Sequence, residues 1–162
     1  MSNYGFIDDE TIVKQAKMIC DCLGHGKYGN AVEMIIETAV VETGLGRIED
    51  KTIEAGMGLT QFDKLPFEDI KLRNIKRREK IYKDLKVDIH LVEWDDLRYN
   101  SYLALLFTRM FYLLKGDPIP KTIEERAAYW KLHYNTKLGK GTVEHYLEMN
   151  RKYGVKYDLT TY

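Results

Sequence analysis

Glu42 is the residue whose type and position most suggest chemistry. It closes a segment, Ala31 to Glu42, that is apolar on most faces through Val32, Met34, Ile35, Ile36, Ala39, Val40 and Val41, and Thr43-Gly44 follows at once. A carboxyl group set against apolar packing is poorly solvated, which disfavours the anion and raises the proton affinity. The negative end of a helix dipole pushes the same way. A glutamate held so stays protonated near neutral pH and can give its proton to a leaving oxygen. On position alone, a plain solvated glutamate at a helix end is the commoner case.

Two other groupings invite a chemical reading. Lys71, Arg73, Lys76, Arg77, Arg78, Lys80, Lys83 and Lys86 face only Glu79 and Asp84 in the stretch Lys71 to Lys86. Such a run could meet an anionic polymer. The simpler reading is an amphipathic helix packed through Ile70, Ile75, Tyr82 and Leu85, with its charges solvated. Cys20-x-Cys22-x-x-His25 has the outline of a zinc half-site, but His90, His133 and His145 supply no second ligand pair of standard spacing. Neither a metal nor a cofactor is expected. No phosphate-cradling glycine motif and no nucleophile elbow is present.

The elements that must position Glu42 follow from periodicity. Asp9 to Leu23 carries Ile12, Val13, Ala16, Ile19 and Cys20 at helical spacing and stops at Gly24. Asn30 is a suitable N-cap for the helix that Glu42 ends. Between Gly44 and Asp63 the helical signal vanishes, and Gly44, Gly46, Gly56 and Gly58 suit loops or a small hairpin. A charged helix is predicted over Phe67 to Leu85 and a long apolar one within Glu93 to Leu114. Thr122-Ile-Glu-Glu125 has capping-box form and opens a helix through about Leu132. Thr142 caps a last helix ending near Tyr153.

The chain has 162 residues, of which 44% are hydrophobic and 31% charged, enough for one domain with a real core. Lys and Arg number 25 and Asp and Glu 25, which argues against a dedicated nucleic-acid binder. No apolar run approaches the ~18 residues of a membrane span. Met1 to Glu10 is polar and acidic, unlike an export signal, and Cys20 and Cys22 are expected to be reduced. The expectation is a single mainly α domain over 1–162, with one small irregular or β-hairpin region between its second and third helices.

Four pieces occur in an order that resembles a known family. Glu42-Thr43-Gly44 and then Gly58-Leu59-Thr60-Gln61 are similar to the Glu-Ser-Gly and Gly-Leu-Met-Gln motifs of the lysozyme-like, soluble-lytic-transglycosylase family. Tyr134-Asn135-Thr136, with Gly139, Gly141, Val143 and Tyr146, resembles its Ala-Tyr-Asn-Ala-Gly segment. Tyr99-Asn100-Ser101-Tyr102 resembles, more loosely, the Asn-bearing helix start of that family. The likeness spans about Ala31 to Tyr146, and the stretch Tyr129 to Thr142 looks most like the phage-encoded branch, whose members serve as endolysins or virion-associated enzymes. Thr60 stands where the family has Met, and Thr136 replaces a small residue.

The resemblance implies an α+β lysozyme-like fold and cleavage of the β-1,4 bond between N-acetylmuramic acid and N-acetylglucosamine. It makes Glu42 the general acid and places Gly58, Thr60, Gln61, Tyr134 and Asn135 at the substrate. Gln61 would bind near the scissile bond, Tyr134 would donate its hydroxyl to Glu42, and Asn135 would order its loop or contact a sugar. Hydrolysis by water needs a second carboxylate, and Glu49, Asp50, Glu54 and Asp63 are the candidates, none with a distinguishing context. A lytic transglycosylase needs Glu42 alone, which favours that reaction over a muramidase. The partner implied is the glycan strand, with no nucleic acid, and a monomer is expected. Synthesis in the host cytoplasm and action on the periplasmic wall, or carriage in a virion, follow from the same likeness. A wall-binding or virion protein that keeps the fold without turnover is the rival from another class, and a helical nucleic-acid binder using Lys71 to Lys86 is a second.

Overall fold

A computed structural model describes residues 3–48, 56–73, 75–136 and 139–155. Its elements are almost all helical: α1 Asp9–Leu23, α2 Ala31–Thr43, α3 Lys64–Arg73, α4 Ile75–Leu85, α5 Ser101–Leu113, α6 Ile123–Trp130 and α7 Val143–Tyr153. A 3₁₀ turn, Trp94–Tyr99, leads into α5, and a π turn, Lys131–Asn135, continues α6. Among the described residues the β structure reduces to one antiparallel bridge between Met57 and Phe62. Among those residues, too, no helix is long and apolar enough to cross a membrane.

Helix α2 is the axis of the molecule. Of its residues only Glu33 and Glu42 are less than fully buried. Helices α1, α5 and α7 pack around it. A helix surrounded this way must be apolar nearly all round, which its sequence is. Arg126 of α6 reaches in to Glu37 of α2 with two N–H···O bonds of 2.8 Å, and the Tyr146 hydroxyl of α7 donates to the same carboxylate at 2.8 Å. Burial pushes the Glu37 carboxyl up, against the pull of these donors. The three side chains join three helices.

Caps form where short polar side chains precede helices. Asp8 accepts from Thr11 N–H at 2.7 Å, Asn100 from Leu103 at 3.0 Å, Thr122 from Glu125 at 3.2 Å and Thr142 from His145 at 3.0 Å. Asn30 differs from expectation: its side chain makes no capping bond, and the Ala31 N–H is taken instead by His25 C=O at 2.9 Å.

The described parts of the charged segment predicted as a helix, 64–73 and 75–85, are both helical, and they serve different neighbours. Phe67 and Ile70 bury α3 against α5, whereas Ile81 and Leu85 bury α4 against α1. The face expected to pack through Ile75 and Tyr82 does not: these side chains are 73% and 60% exposed. Residue pairs at i and i+7 share a helix face, so both project from the same outward side. Helix α6 stops at Trp130, two residues earlier than predicted, where the wider π turn takes over.

Candidate active site

The site grows from the end of α2. Gly44 adopts the left-handed conformation (φ 57°) and returns its N–H to Val40 C=O at 2.8 Å, which ends the helix directly after Glu42 and Thr43. Thr43 is fully buried, and its hydroxyl donates to Leu59 C=O at 2.7 Å while accepting the Gly46 N–H at 3.0 Å. One hydroxyl therefore ties the helix end to the Gly58–Gln61 turn. Glu42, next to it, is half-buried.

The turn is closed by the Met57–Phe62 bridge, with N–H···O distances of 2.9 and 3.0 Å. Gly58 has φ +76°, and a Cβ there would lie 2.0 Å from Leu97 C=O, so backbone from the 3₁₀ turn occupies the space of a side chain. Gln61 is also left-handed (φ 47°). Both its backbone N–H and its side-chain amide donate to Gly58 C=O at 2.9 Å, which leaves the buried Oε1 without a partner among the described residues. Thr60 is fully buried, with its hydroxyl 2.8 Å from that of Thr108 on α5.

The other wall is the π turn. Wide turns of this kind redirect side chains and recur at functional sites. Trp130, at its start, is 1% exposed and donates its indole N–H to Glu42 Oε1 at 3.2 Å. The Tyr134 hydroxyl donates to Thr60 C=O at 2.6 Å. A phenol has one proton to give, so the expected donation to Glu42 is replaced by a hold on the turn. Burial first, and the nearby Glu42 charge next, keep the Tyr134 phenol well above its ordinary range. Asn135 orders its own loop: Lys131 Nζ bridges Asn135 Oδ1 at 2.7 Å and Gly139 C=O at 2.9 Å. Cβ atoms at Gly139 or Gly141 would collide with Asn135, at 2.4 Å from Oδ1 and 2.9 Å from Nδ2 respectively.

Of the proposed second carboxylates, Glu49, Asp50 and Glu54 lie outside the described residues. Asp63 follows the turn directly. The residue as a whole is exposed, yet desolvation raises its carboxyl pKa, and its charge is felt at Tyr134. Glu42, Thr60, Gln61 and Tyr134 thus come together, with Gly58 and Asn135 shaping the two loops. Trp130, Thr43 and Thr108 complete the arrangement and were not anticipated as site residues. Trp130 stands four positions before Tyr134, a spacing that puts neighbours on one helix face, and this was the available signal. No family model, no curated protein and no solved structure matches the chain.

Proposed function

We propose that the protein is a lysozyme-like, phage-type enzyme that cleaves the β-1,4 bond between N-acetylmuramic acid and N-acetylglucosamine in peptidoglycan, as a lytic transglycosylase acting in lysis or at infection. The observation that carries the reading is Glu42: a half-buried carboxyl at the end of a core helix, held by the Trp130 indole, beside a turn anchored by Thr43 and Tyr134. Glu42 protonates the glycosidic oxygen as the bond to the muramic acid anomeric carbon breaks. The muramic acid C6 hydroxyl attacks that carbon, and the Glu42 carboxylate takes the hydroxyl proton, restoring the acid and leaving a 1,6-anhydro end. Gln61 Oε1, buried and without a hydrogen-bond partner among the described residues, is an acceptor for a sugar hydroxyl or acetamido N–H.

Asp63 favours a second reading. A carboxylate near Tyr134 could activate water across the sugar and make the enzyme a muramidase. Mass spectrometry of digested peptidoglycan separates them: anhydro ends mean the transglycosylase, reducing ends the hydrolase. Wall binding without any cleaved product would overturn both.

A further inference from the structure

Away from Glu42, Arg109 of α5 is 3% exposed and makes no ion pair among the described residues. Its Nε and one terminal nitrogen both donate to a single acceptor, Gly24 C=O, at 3.0 and 2.9 Å, and the Cys20 sulfur is a further, weak acceptor. Burial without a counter-charge lowers its pKa. Burying a guanidinium this way is expensive unless an anion arrives to pair with it. Arg109 also lines a pocket of about 390 Å³ with Lys27 and Lys115, walled by Tyr112, Pro118 and Ile119. The acidic residue on the rim, Asp117, is largely exposed, 3.2 Å from His133 Nε2 without forming a hydrogen bond to it. Lys121 stands just outside, over the Tyr28 ring that Lys27 also approaches. Three cations against one carboxylate give the pocket a net positive lining that suits an anion. Its volume exceeds what a bare ion fills and lies in the range of small organic ligands.

We propose that this pocket, between the α1–α2 loop and the end of α5, is a binding site for a phosphate monoester, with Arg109, Lys27 and Lys115 holding the phosphoryl group. Guanidinium and ammonium groups bind such oxygens through charge-assisted hydrogen bonds. The site is separate from the Glu42 chemistry and stands whether or not that reading holds.

The test is a titration of the full chain with inorganic phosphate and with glycerol phosphate at constant ionic strength, followed by amide NMR, with acetate and chloride as controls. Saturable shifts at Gly24, Gly26, Lys27 and Gly116 with both phosphates, and weaker ones with acetate, are expected. K27Q/K115Q should bind at least about tenfold more weakly with an unchanged spectrum elsewhere. R109K should also weaken binding, since an ammonium lacks the planar fork; should that variant fail to fold, the lysine pair carries the test. The proposal is overturned by absent saturation, by shifts centred on Lys71 to Lys86, by acetate binding as tightly as phosphate, or by full affinity in K27Q/K115Q.

Discussion

Two of the three glutamates of helix α2, Glu37 and Glu42, lie five positions apart in opposite circumstances. Glu37 is buried and saturated by Arg126 and Tyr146, a charge matched by a charge and locked between three helices. Glu42 lies about 140° further round the helix, half-buried, with a neutral indole N–H on one oxygen. Apolar surroundings alone would have selected Glu37 as the reactive carboxyl, since it is the more desolvated of the two. What sets Glu37 apart is its clamp. A carboxylate held by two guanidinium N–H bonds cannot lend its proton or its lone pairs.

Removing one partner of the clamp should give the largest effect. R126A leaves the Glu37 charge buried and alone, and chemical denaturation should show a loss of about 3–5 kcal/mol. Restoration of stability by a second change, E37Q, would confirm that the loss comes from the stranded charge. The complementary change, E42Q, should lower wall cleavage by about 10²-fold or more while hardly moving the melting temperature. If E37Q rather than E42Q removed activity in folded protein, the contrast between the two glutamates would collapse.

Trp130 sharpens the contrast. W130F keeps a large ring against Tyr146 but removes the donor to Glu42. Stability should fall by about 1–2 kcal/mol from a small void and one lost bond, and kcat should fall beyond what that accounts for, whereas Glu37 chemistry should be untouched. Y134F should cost about 1 kcal/mol and act chiefly on KM, because the lost bond holds the Thr60-Gln61 turn rather than the acid. A fall in kcat alone would return Tyr134 to Glu42. The smallest effect is expected from R77Q/R78Q: Arg78 loses a partly exposed ion pair with Asp88, for which about 0.5–1 kcal/mol is the expected cost.

Much of the scaffold was legible locally. The caps Thr122 and Thr142, the span of α1 and the all-round apolar character of α2 are short-range properties, and they hold. The neighbours of the Phe67 to Leu85 segment were not legible, because Phe67 packs toward α5 and Ile81 toward α1, both far away in the chain. Nor did spacing reveal that Ile75 and Tyr82 face outward, since an apolar stripe looks the same whether covered or bare. At the site, Gly58, Gln61 and Tyr134 could be named in advance, but the bond from Tyr134 to Thr60 spans 74 positions, and its acceptor is a backbone carbonyl that carries no side-chain signature. Trp130 is both core and a partner of Glu42.

The π turn after α6 amounts to one residue more than an α-helical turn would hold, and Thr136 N–H closes it on Lys131 C=O at 2.8 Å. An added residue is a phase shift of about 100° for everything downstream. Trp130 lies before the shift and Tyr134 within it, so one short segment addresses two different targets, the helix end and the turn. Deleting a single residue between them would restore the regular winding and leave the helical content almost intact. It would also swing the phenol away from Thr60 while the indole stayed on Glu42. The two walls of the site are kept in register by counting, through a single surplus position in the chain.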